Sequence, residues 1–83
     1  MTLYHWTLIE NARRIDTEGL KHGTWCIYLC RDPEGWRGEV CYEVNIDLEK
    51  YDWSILNDWE VMCWNDIPID CCKRTIFERG VRR

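Results

Sequence analysis

Hydrophobic and polar positions change their period along this chain, and each change marks out an element. Leu3 to Trp6 is a short β-prone run. Thr7, with Glu10 three residues later, forms a Thr-x-x-Glu capping box, in which hydroxyl and carboxylate satisfy backbone donors at a helix start. The pattern therefore predicts a helix from about Leu8 to Glu18, with Ile9, Ala12 and Ile15 on its buried side and Arg13 and Arg14 outside. Gly19 ends it, a left-handed glycine followed by an apolar Leu20.

Beyond the helix the period falls to two. Thr24 to Cys30 is aromatic and β-rich, and reads as a strand mostly buried on both faces. Arg31 to Gly38 carries Asp32-Pro33-Glu34-Gly35 and reads as a turn, or at most one helical turn. Glu39 to Asp47 alternates, placing Val40, Tyr42, Val44 and Ile46 on one face, as a half-buried strand does. Leu48 to Asn57 is ambiguous, a loop carrying a short strand or turn. Asp58 to Trp64 and Ile69 to Phe77 read as two further strands, separated by the breaker Asn65-Asp66-Ile67-Pro68. Strands dominate after a single early helix, so the expected class is α+β. No linker, repeat or composition shift divides residues 1–83, which read as a single domain ending in a basic tail over about 78–83.

Composition adds a bound and a compensation. At 83 residues the chain has little apolar surface to bury, but six Trp, four Tyr and one Phe supply large buried areas per residue. The longest apolar runs are three or four residues, against about 20 for a membrane-spanning helix, so no membrane partner is expected. The N-terminal residues lack a basic start and apolar run, and the expectation is an intracellular, cytoplasmic protein, in a host cytoplasm if phage-encoded. In that compartment the six cysteines read as reduced thiols serving as small apolar residues, with three disulfides or a zinc site as the alternatives.

Charge is unevenly spread. Residues 1–72 carry six Lys/Arg against fourteen Asp/Glu, and residues 73–83 carry five against one. Such an acidic body argues against general nucleic-acid binding and favours a basic protein partner.

Phosphate loops, Gly-x-Ser-x-Gly and His-Glu-x-x-His are all absent, and two histidines furnish little metal or triad chemistry. What remains is an ordered series: Tyr4-His5-Trp6-Thr7, then Ile9 and Asn11, Ile15, Gly19-Leu20 and Ile27-Tyr28-Leu29. Further on come the Glu39–Asp47 strand, Glu60 and Asp66-Ile67-Pro68. The series resembles the ADP-ribosyltransferase fold of diphtheria-toxin-like and poly-ADP-ribose-polymerase-like proteins, in the style of its small bacterial and phage members. The resemblance spans about Leu3 to Ile76. Trp6 stands where many transferases carry a glycine.

The resemblance implies a minimal split β-sheet with one main helix and a site for NAD, here a substrate. His5 matches the first-strand histidine that hydrogen-bonds the adenosine-side ribose and backbone, Tyr28 the aromatic that stacks on nicotinamide, and Glu60 the acid that binds the nicotinamide ribose hydroxyl and supports cleavage of the glycosidic bond. Thr7 faces the same side of the strand as His5 and either contacts the ribose or only caps the helix. Taken singly, His5 reads as a satisfied structural histidine, Tyr28 as core packing and Glu60 as a solvated strand end.

The implied activity is mono-ADP-ribosyl transfer from NAD to a protein or nucleic-acid acceptor, or hydrolysis of NAD. Size and charge add the expectation of a phage or mobile-element effector against host defence. The alternative is an inactive domain of the same fold that inhibits a protein complex through its acidic, Trp-rich surface.

Overall fold

The computed structural model describes residues 1–33 and 38–78, the last three of these by backbone only. The basic tail beyond Glu78 and the middle of the Arg31–Gly38 turn lie outside the described residues.

Among the described residues, six strands and one helix follow one another: β1 (Thr2–Thr7), α1 (Ile9–Glu18), β2 (Ile27–Cys30), β3 (Val40–Asn45), β4 (Trp53–Asn57), β5 (Glu60–Cys63) and β6 (Cys72–Glu78). Single 3-10 turns at Leu48–Lys50 and Ile69–Cys71 precede β4 and β6. All strands join one antiparallel sheet in the order β4-β5-β2-β1-β3-β6. One helix beside an antiparallel sheet is the α+β class that the pattern predicts.

The sheet is unevenly zipped. β1 pairs with β3 at every position from Thr2↔Asn45 to Thr7↔Val40, whereas β1 and β2 share the single register position Tyr4↔Cys30. Beyond that position the two strands part, and the parting creates the clefts described below.

Alternation along the strands sorts the side chains into two layers. Leu3, Leu29, Val40, Tyr42, Val44 and Val61 join Ala12 and Ile15 of α1 in the main core. Trp6, Cys30 and Cys41, with Tyr4 against them, form a second cluster on the opposite face. Each fully buried aliphatic side chain contributes about 1.5–3 kcal/mol. Tyr42 also anchors the helix: its hydroxyl donates to the Asp16 carboxylate at 2.6 Å and lies 3.1 Å from the Ala12 carbonyl.

The helix start differs from the capping box. Thr7 belongs to β1, Leu8 is the N-terminal flanking residue, and no side chain of the flanking residue caps the helix. The Ile9 amide instead donates to Glu39 Oε1 at 3.1 Å, from the far side of the β2–β3 connection. The Thr7 hydroxyl accepts from Asn11 Nδ2 at 3.2 Å. Ile9 is exposed rather than buried, because α1 turns the Ala12/Ile15 stripe to the sheet and Ile9 falls at its rim.

The helix end follows expectation more closely. Gly19 adopts φ 78°, ψ −164°, and its amide donates to the Ile15 carbonyl at 2.9 Å. That φ/ψ pair is open essentially to glycine alone, and a Cβ there would strike the Ile67 carbonyl oxygen. The close approach lets Leu20 and Ile67 exchange backbone hydrogen bonds of 2.9 and 2.8 Å.

Two other expectations need correction, and one ambiguity is resolved. The Thr24–Cys30 run is a strand only from Ile27, and Trp25 and Tyr28 are exposed, because β2 presents one of its faces to an open cleft. The ambiguous Leu48–Asn57 stretch supplies a 3-10 turn and the edge strand β4. The last strand begins at Cys72, since Ile69–Cys71 winds into a 3-10 turn after Pro68.

Candidate functional site

Where β1 and β2 part, a cleft of about 480 Å³ opens, lined by His5, Trp6, Tyr28, Cys30, Leu56 and Glu60. That volume falls in the range of small-molecule sites, about 300–1,000 Å³. A second cleft of about 250 Å³ lies on the helix side, with His5, Thr7, Asn11, Arg14 and Lys21 among its walls. His5 lines both.

Register explains the grouping. Opposed residues of an antiparallel pair share a face, so Tyr4↔Cys30, Tyr28↔Met62 and Cys30↔Glu60 place Tyr28, Cys30 and Glu60 on the sheet face that carries Trp6. His5 alternates to the helix face, opposite Tyr42. Its ring nonetheless reaches the gap between the strands, where Nδ1 lies 2.9 Å from the Tyr28 carbonyl oxygen. A carbonyl only accepts, so Nδ1 carries the proton and Nε2 keeps its lone pair. Burial lowers the His5 pKa from its ordinary value of 6.5, the bond to the Tyr28 carbonyl opposing in part, so the ring is neutral at pH 7.

Tyr28 is 39% exposed, with its ring on the cleft wall. Its hydroxyl accepts from the Trp25 indole at 2.9 Å, which fixes one aromatic ring by another. Glu60 is only 4% exposed. Its Oε1 accepts from Asn57 Nδ2 at 3.3 Å, while Asn57 Oδ1 accepts the amides of Trp59 and Glu60, each at 3.0 Å. Asn57 thus closes the β4–β5 turn and orients the carboxylate at the same time.

The four residues singled out in the sequence are therefore divided. His5, Tyr28 and Glu60 line one cleft. Thr7 lines the other, which has His5 as a wall in common with the first. The reading of Glu60 as a solvated strand end fails, because its pairing opposite Cys30 draws it into the sheet. Likewise Tyr28 is not core. Sequence reasoning missed Asn57 as the side chain that orients Glu60, and Leu56 and Arg14 as parts of these walls. An Asn before the Asp-Trp-Glu of a hairpin was a usable turn signal for the first, but Leu56 and Arg14 reach the clefts only through tertiary packing.

Chemically, the larger cleft combines an aromatic ring, a buried carboxylate and a neutral imidazole acceptor. Such a set can stack a planar ring, accept hydrogen bonds from sugar hydroxyls and stabilise positive charge at an anomeric carbon. The smaller cleft has two cations, Arg14 and Lys21, and the polar Thr7 and Asn11. The six cysteines are free thiols, and among the described residues no three side chains gather as metal ligands. Among those residues no helix is long and apolar enough to cross a membrane.

No family model matches the chain, and no curated protein matches it significantly.

Proposed function

We propose that the protein is a minimal ADP-ribosyltransferase-like enzyme that binds NAD across the two clefts and cleaves its nicotinamide–ribose bond. One observation carries the reading: His5 lines both a cleft holding Tyr28 and Glu60 and a cleft holding Arg14 and Lys21. The nicotinamide ring stacks on Tyr28, its ribose hydroxyl meets Glu60, His5 Nε2 accepts from the adenosine-side ribose, and the pyrophosphate extends toward the two cations. β1 and β2 remain neighbours in one six-stranded sheet rather than in two separate sheets, and the shortness of their ladder is what supports placing a ligand cleft at this point.

Bond cleavage leaves an oxocarbenium-like carbon, and a carboxylate held in a shielded cleft stabilises it more strongly than one in water. Nicotinamide leaves neutral, taking the bonding electron pair, and water or an acceptor nucleophile then attacks the sugar carbon and loses its proton. Transfer of ADP-ribose to a macromolecular acceptor and hydrolysis share this first step.

The test is release of nicotinamide from NAD, followed by chromatography. Wild type should release it, Glu60→Gln should be slower by about a hundredfold or more, and Tyr28→Ala should raise KM by about tenfold through lost stacking. If wild type neither binds nor consumes NAD, the reading fails. The second reading, a domain that only docks on a partner protein, then takes its place; it draws on the exposure of Trp25, Trp59 and Trp64 over an acidic body.

A further inference from the structure

β4 ends the sheet, and among the described residues nothing pairs with its outer side. Its hydrogen bonding can be phased. Trp64 N–H donates to the Asp52 carbonyl at 2.9 Å, so Asp52 and, two residues on, Ser54 point their backbone groups at β5. Trp53 and Ile55 consequently aim theirs outward.

Exposed edges are ordinarily guarded by lysine, proline or an inward-pointing charge. Trp53-Ser54-Ile55-Leu56-Asn57 contains none of these. Ile55 is 59% and Leu56 45% exposed. The register shift between Ile55 and Asn57 lies at the cleft end and leaves Trp53 to Ile55 regular. The opposite edge, β6, does carry Lys73 and Arg74.

Charge identifies what would fit. From residue 51 to residue 72 the chain has five acids (Asp52, Asp58, Glu60, Asp66 and Asp70) and not one Lys or Arg. Asp52 and Asp58 flank β4 and are exposed. An acidic peptide would meet repulsion at both ends of the strand, and a cationic one would meet attraction there. The edge also runs to the candidate site, since Leu56 of β4 lines the larger cleft.

We propose that β4 is the docking edge for an extended, cationic segment of a protein acceptor, which adds as a seventh strand and so brings its neighbouring side chains to the mouth of the cleft. Main-chain bonds to Trp53 and Ile55 supply affinity, and Asp52 and Asp58 select positive charge. This inference rests on the proposed NAD-cleaving function for its meaning, but the docking itself needs no NAD.

The probe is a ten-residue peptide of alternating arginine and valine, with a glutamate–valine peptide as control, titrated into the isotope-labelled protein. The arginine peptide should shift and protect the Trp53 and Ile55 amides, its affinity should fall as salt rises, and the glutamate peptide should do neither. Ile55→Pro removes an outward amide at a position where an edge strand tolerates proline, and should weaken binding by tenfold or more. Asp58→Lys, which leaves the backbone untouched, should weaken it severalfold. Absence of binding, shifts confined to other strands, equal binding by both variants, or self-association of the protein through β4 would each overturn the proposal. Adding NAD separates the two readings: docking without NAD consumption refutes only the enzyme, and NAD consumption without docking refutes only the edge.

Discussion

His5 is held by a single geometric circumstance: its ring occupies the position where the β1–β2 ladder stops, taking the Tyr28 carbonyl that a strand amide would otherwise satisfy. A protonated ring could keep that bond, but burial makes the charged form costly, so the folded-state pKa lies below 6.5. The unfolded chain therefore binds the proton first as pH falls. Stability from this residue is complete above about pH 6.5 and declines below it, toward the folded-state value. Urea midpoints should fall between pH 7.5 and 5.5, and the fall should be smaller in His5→Gln. An equal fall in both proteins would place the dependence on other groups. Of the site residues, His5 and Tyr28 were legible in the sequence only as members of an ordered series. Nothing local to either distinguishes a cleft wall from a packed interior, and for Tyr28 and Glu60 the local reading pointed the wrong way.

Elements show the same division between local and distant causes. The Ala12/Ile15 stripe and the Val40, Tyr42, Val44 alternation were readable because burial follows the period of one helix or one strand. β4 was not, since Ile55 and Leu56 are adjacent and both exposed, which is the signature of an edge rather than of alternation. The start of α1 was misread for a different reason. Thr7 and Glu10 have the spacing of a capping box, but Thr7 is spent on pairing with Val40 in β1, and Glu39 does the capping from thirty residues away. Each substitution has a different consequence. Glu39→Ala should lower stability by about 0.5–1.5 kcal/mol, through loss of an anionic cap at a helix N-terminus, whereas Thr7→Ala should cost less than about 0.5 kcal/mol. Urea denaturation monitored by circular dichroism distinguishes them, and the reverse order would restore the capping box.

Across the whole molecule the sheet is packed on both faces, and the cysteines report on each. Cys63 belongs to the main core and Cys30 and Cys41 to the Trp6 cluster, while Cys26, Cys71 and Cys72 are half-buried. Burial pushes the thiols of Cys41 and Cys72 up to about 11 and raises that of Cys63, so at pH 8 little thiolate forms at any of the three. Reading the cysteines as small apolar residues therefore implies a definite reactivity. In the native protein an alkylating reagent should modify Cys26 and Cys71 first, Cys72 more slowly, and Cys30, Cys41 and Cys63 only when the sheet opens. Mass spectrometry across a urea series should show those three labelling together, along the same curve as the loss of circular dichroism, because one sheet ties both clusters to a single unfolding event. Early labelling of Cys30 alone would mean something different. Cys30 lies at the single β1–β2 register position and on the cleft wall. Its independent exposure would show that the seam between these strands opens without global unfolding, and the clefts on either side of His5 would then widen together.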